Sequence, residues 1–72
     1  MARLEVLKWC FENIADQNNN HTVKDVSDAI GTEYWKELEL MCFVFTWYDW
    51  ENRRSRIKLT DLGKAHCKEI FN

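Results

Sequence analysis

The chain has 72 residues, 46% of them hydrophobic, with four Trp, four Phe, no Pro and a formal charge of −2. A chain this short buries only about 60% of its unfolded surface, so it suits one domain, residues 1–72, with a dense core rather than a disordered tail. The longest apolar run, Leu40 to Phe45, is far too short to span a bilayer, and Arg3, Glu5 and Lys8 interrupt any signal-like run, so a cytoplasmic protein is expected.

In chain order, residues 3–16 read as an amphipathic helix, with Leu4, Leu7, Phe11 and Ile14 at helical spacing and Cys10 widening the stripe. Gln17 to His21 reads as a loop. Thr22 begins a second helix, with Asp25 three residues on, and Val23, Val26 and Ile30 as its buried stripe. Gly31 is placed to stop it and Thr32 to cap a third helix, Glu33 to about Cys42, which is the helix-turn-helix layout. Tyr34, Leu38, Met41 and Cys42 are expected inside. Lys36, Glu39 and Leu40 are expected outside, with Glu33 and Glu37 on the flanks.

Aromatic and β-branched density predicts a strand from Phe43 to Trp50. A turn follows near Asn52 to Ser55. Arg56 to Thr60 returns as a second strand, in which Ile57 and Leu59 point one way and Arg56 and Lys58 the other. Thr60 or Asp61 can cap a last helix, Asp61 to Phe71, expected to bury Leu62, Ala65, His66 and Ile70. Gly63, in its first turn, lets neighbouring backbone come close. The order helix, helix, helix, strand, strand, helix predicts a mainly α winged helix-turn-helix.

The segment Glu51 to Gly63 also resembles the wing of the MarR-type winged-helix family. There an acid, an Arg two residues on, Leu-Thr eight and nine on and a Gly twelve on recur; here these are Glu51 (where the family usually has Asp), Arg53, Leu59, Thr60 and Gly63. The match covers 13 of the 72 residues. The resemblance implies the winged-helix core without the terminal helices through which that family dimerises, and a wing Arg, here Arg53, that contacts DNA.

Charge sharpens this reading. Residues 1–50 carry four basic and nine acidic groups, net −5, and residues 51–72 carry six basic and three acidic, net +3. The dense positive cluster is Arg53, Arg54, Arg56 and Lys58, which attracts polyanions locally and suits the phosphates or a narrow minor groove of duplex DNA. The competing reading of the cluster is a solvated hairpin tip that keeps a sheet edge soluble. In the DNA-binding reading the third helix lies in the major groove, with Thr32, Tyr34 and Lys36 near the DNA. Its outward and flanking acids, Glu33, Glu37 and Glu39, oppose that placement. A small DNA-binding transcriptional regulator or accessory factor is the leading expectation. The alternative is a protein-interaction module or inhibitor, of the kind a phage or mobile element encodes, working through Glu37, Glu39, Leu40, Tyr48 and Trp50. A homodimer stays open, through the first helix, the last helix or the aromatic strand.

Catalysis is not expected, since nothing pairs a nucleophile with a base, and with only Gly31 and Gly63 there is no glycine-rich phosphate loop. No metal and no cofactor is expected either: His66 and Cys67 are neighbours that diverge by about 100° on a helix, and no ligand pair has finger spacing. Cys10, Cys42 and Cys67 are far apart and odd in number, which fits reduced thiols rather than a disulfide framework.

Overall fold

The computed structural model describes residues 3–15 and 20–71. Its elements follow the expected order: α1 (Arg3–Asn13), α2 (Val23–Ile30), α3 (Thr32–Leu40), β1 (Val44–Asp49), β2 (Arg54–Leu59) and α4 (Asp61–Phe71). The loop expected at 17–21 lies largely outside the described residues.

α1 buries Val6, Leu7 and Cys10, and Ile14 just beyond its end, whereas Leu4 is 59% exposed. The buried stripe is therefore turned toward Val6 and Cys10 relative to the expected one. The reason is its neighbours. α1 packs along α4, where Phe11 and Phe71 stack with ring centroids 6.2 Å apart and the buried Cys67 thiol lies under the Leu7 carbonyl. Against α3, Arg3 pairs with Glu37.

The helix-turn-helix forms as the sequence suggests on its first side. Thr22 Oγ1 accepts the Asp25 N–H at 3.1 Å, satisfying one of the amides left open at a helix start, and Val26 and Ile30 are buried. The turn itself is a single residue. Gly31 has φ +92°, a backbone that favours glycine, and acts as the N-cap of α3. Thr32 is therefore the first helical residue and not the cap. Trp35, absent from the expected core, is 7% exposed and donates its Nε1–H to Ser27 Oγ at 2.7 Å, tying α3 to α2. Leu38 is buried as expected and Tyr34 is half-buried. Met41 and Cys42 are not core residues, because the helix ends at Leu40 and Cys42 turns to φ +64°.

β1 and β2 pair antiparallel, Val44 opposite Leu59 through Asp49 opposite Arg54. That register sends Val44, Ile57 and Leu59 into the core and puts Phe45, Trp47, Arg56 and Lys58 on the outer face. The far side of β2 is held by the α1–α2 loop: the Ile57 N–H donates to the His21 carbonyl at 3.0 Å, and Thr22 bridges Arg56.

Thr60, rather than Asp61, caps α4. Its Oγ1 accepts the Gly63 N–H at 3.0 Å and donates to the Cys42 carbonyl at 2.7 Å. The inner face of α4 is Gly63, Cys67 and the half-buried Phe71, with His66 stacked on Phe43 at 4.8 Å. Leu62, Ala65 and Ile70 are exposed, contrary to the expected stripe. Close backbone approach decides this: a Cβ on Gly63 would lie 2.3 Å from the Phe43 carbonyl oxygen, so the helix presents its one side-chain-free position to the start of β1.

Candidate nucleic-acid interface

α3 and the β1–β2 hairpin carry the residues in question. On α3 the exposed positions are Thr32, Glu33, Lys36 and Leu40. The other two acids are turned to intramolecular partners: Glu37 pairs with Arg3 of α1, and Glu39 accepts the Thr46 hydroxyl of β1. The fully exposed charges of α3 are thus one acid, Glu33, and one base, Lys36. Arg3 therefore offsets the charge of Glu37 in a pair that stays about half exposed, while the Thr46 hydroxyl fixes the direction of the Glu39 carboxylate without cancelling its charge. Tyr34 sits against the turn, 3.1 Å from where a Cβ on Gly31 would be.

The hairpin sorts its four cations by position. Arg53 occupies the tip in a left-handed conformation, φ +52°, and Arg54 opens β2; both are exposed. Among the described residues, Arg54 Nε approaches only the Asn52 carbonyl, at 3.4 Å. Arg56 is different. Its side chain is 13% exposed, its Nε donates to Asp49 Oδ2 at 3.1 Å, and its Nη1 donates to the Asn20 carbonyl at 2.8 Å. Lys58 lies on the outer face with its ammonium 5.7 Å from the centroids of both Phe45 and Trp47, which stack on one another at 6.0 Å. Electrostatic attraction to the ring faces holds such an ammonium close to the sheet. Two of the four cations therefore face solvent at the wing tip, and two serve the hairpin itself.

Asp49 shapes the tip and was not singled out from the sequence, although Asp-x-x-Asn at 49–52 is a turn-forming signature. It accepts the Asn52 side-chain amide at 2.9 Å and the Asn52 backbone N–H at 3.2 Å as well as Arg56. The Asn52 bonds, and then Arg56, hold the Asp49 carboxyl below the usual aspartate range. Between this tip and the start of α2 lies an open groove of about 580 Å³, lined by Thr22, Val23, Lys24, Asp25, Arg53, Arg54 and Ser55. Lys24 is engaged with Asp28 at 3.0 Å, so the two arginines supply most of the available positive charge there.

The remaining candidates are also exposed. Leu40 is 86%, Trp50 82% and Tyr48 44% exposed, and the rings of Tyr48 and Trp50 meet edge to face at 4.6 Å. Among the described residues no group of three His, Cys, Asp or Glu is arranged to hold a metal ion, and no helix is long and apolar enough to cross a membrane.

No family model matches the chain, and no curated protein does. Among solved structures, the S. aureus MepR–DNA complex is similar, with a TM-score of 0.66 and 20% sequence identity over 96% of this chain. The fold is a winged helix. The chain spans 56% of the MepR chain, a little over half its length. Within this winged helix, α2 and α3 are the helix-turn-helix and β1 and β2 the wing.

Proposed function

We propose that this winged helix is a DNA-binding protein that serves as a transcriptional regulator or accessory factor. The observation that carries the reading is the separation of charge around α3. Glu37 and Glu39 are folded back onto Arg3 and Thr46, while Arg53 and Arg54 stand exposed at the wing tip. Arg53 and Arg54 contact phosphates or a minor groove, and Thr32, Tyr34 and Lys36 lie beside the major groove at the start of α3. The likeness to a winged helix solved in a complex with DNA supports this use of the fold.

Binding of this kind is dominated by backbone contacts and weakens steeply with salt. The test is fluorescence anisotropy with a mixed-sequence duplex across a salt series, using wild type and the double charge reversal Arg53→Glu, Arg54→Glu. Measurable affinity at low salt that disappears in the double variant supports the reading. Absence of binding at low salt overturns it and favours the protein-interaction reading, in which Glu37, Glu39 and Leu40 are the residues to replace.

A further inference from the structure

The fold treats the two edges of the wing unequally. The Phe43 carbonyl accepts the Thr60 N–H at 2.9 Å, and the pairing alternates from there, so Phe45–Lys58, Trp47–Arg56 and Asp49–Arg54 are the hydrogen-bonded pairs. The N–H and C=O groups of Thr46 and Tyr48 therefore point away from β2. On the opposite edge the corresponding outward N–H of Ile57 is taken by His21. Among the described residues, no backbone group meets the outward amides of Thr46 and Tyr48.

An open edge is ordinarily guarded by Lys, Pro, a bulge or extreme shortness. β2 carries Arg54, Arg56 and Lys58, but β1, Val-Phe-Thr-Trp-Tyr-Asp, carries none of these guards over its six residues. Its one charge, Asp49, is already engaged by Asn52 and Arg56. Large rings stand on both of its faces: Phe45, 51% exposed, and Trp47 on the outer face, Tyr48 on the other, and Trp50 just beyond.

The geometry points to β1 as a self-association edge, on which a second copy of this chain pairs antiparallel to make a continuous four-stranded sheet. A second copy fits for two reasons. An antiparallel strand offers itself alternating donors and acceptors that are complementary about a two-fold axis. The strand also brings no unpaired like charge to the seam, because Asp49 is neutralised within each copy. Upstream, the Phe43 N–H donates to the Leu38 carbonyl, which ties the start of the strand to α3. With Thr46 opposite Tyr48 of the second copy, each such pair exchanges two hydrogen bonds, and Trp47 meets its own counterpart in the close, non-hydrogen-bonded position. The same register sets Trp50 beside the start of the other β1, next to the end of α3 where Leu40 is exposed. This inference stands apart from the DNA reading.

The experiment combines solution mass with a designed cross-link. Sedimentation over a concentration series is expected to show a dimer. In a Cys42→Ser background, Trp47→Cys is expected to form a disulfide-linked dimer on mild oxidation, because the Cα atoms of such a pair lie about 4.5 Å apart, within disulfide reach. Tyr48→Pro removes an N–H that points outward and leaves the hairpin's own bonds intact. It is expected to weaken dimerisation by about tenfold or more while the circular dichroism stays unchanged. A wild-type protein that stays monomeric at every concentration overturns the proposal. So does a dimer that survives Tyr48→Pro and gives no cross-link through Trp47→Cys.

Discussion

Arg56 Nε lies 3.1 Å from Asp49 Oδ2, and through this pair the wing uses one of its own arginines to hold its stem. Because the Arg56 side chain also reaches the Asn20 carbonyl, it fastens the hairpin to the α1–α2 loop rather than offering its charge to a ligand. The salt dependence of DNA binding should separate the two kinds of cation. Removing a phosphate contact lowers the slope of log affinity against log salt by about 0.9. Arg53→Ala and Arg54→Ala are each expected to lower it by such an amount. Arg56→Ala and Lys58→Ala are expected to leave it unchanged, and Arg56→Ala to lower the melting temperature more than Arg53→Ala does. Anisotropy titrations at four or five salt concentrations, beside thermal melts, check both halves.

The Asp49 carboxyl gives the wing a pH dependence of definite sign. Its folded-state pKa is depressed, first by the two Asn52 bonds and then by Arg56. Its contribution is therefore fully present above the ordinary aspartate value of about 3.9 and is lost as pH falls through the depressed value. Wild type is expected to lose melting temperature more steeply than Asp49→Asn as the pH is lowered from about 5 to 2. Parallel slopes for the two proteins would show that the Asp49 bonds do not matter to the fold.

Gly63→Ala should be among the costlier single-methyl changes available. The added Cβ would stand 2.3 Å from the Phe43 carbonyl oxygen and 3.1 Å from Leu59 Cδ1, and backbone of a strand start cannot swing aside as a flexible side chain can. Overpacking of this kind costs about 1–3 kcal/mol, with the upper part of that range expected here. At this chain length each kcal/mol corresponds to a fall of roughly 4–8 °C in melting temperature. Gly31→Ala is expected to cost about 1–3 kcal/mol for a different reason, the φ of +92°. Denaturant titration of both variants measures these differences directly.

The three thiols should react in two classes. Burial, and then the neighbouring Cys67, push the Cys10 thiol up to about 12, and burial raises Cys67 as well, whereas Cys42 is exposed. Since the thiolate is the reactive form, a maleimide or disulfide reagent is expected to label Cys42 in the native protein and the other two only after unfolding. Peptide mapping after a timed pulse distinguishes this from uniform labelling.

Element order was legible in the sequence, because helical and alternating apolar spacing, the Thr22 cap and the Gly31 stop are local signals. The inward Leu59, a capping oxygen at Thr60 and the close backbone approach at Gly63 were likewise legible, since strand alternation, a cap and a missing side chain are read from the residues themselves. What failed was rotation. Leu4, Leu62 and Ile70 looked as apolar as Val6, Trp35 and Cys67, and only the packing of α1 against α4 and the close approach of Gly63 to Phe43 decided which would be buried. The balance of charge at the candidate interface was hidden for the same reason. Composition counts Glu37, Glu39 and Arg56 as free surface charges, but a close opposite charge offsets what a ligand feels, as Arg3 does for Glu37 and Asp49 for Arg56. A hydroxyl, as Thr46 does for Glu39, fixes where the carboxylate points. Those partners, Arg3, Thr46 and Asp49, lie between seven and 34 residues away along the chain and are brought near by the fold alone.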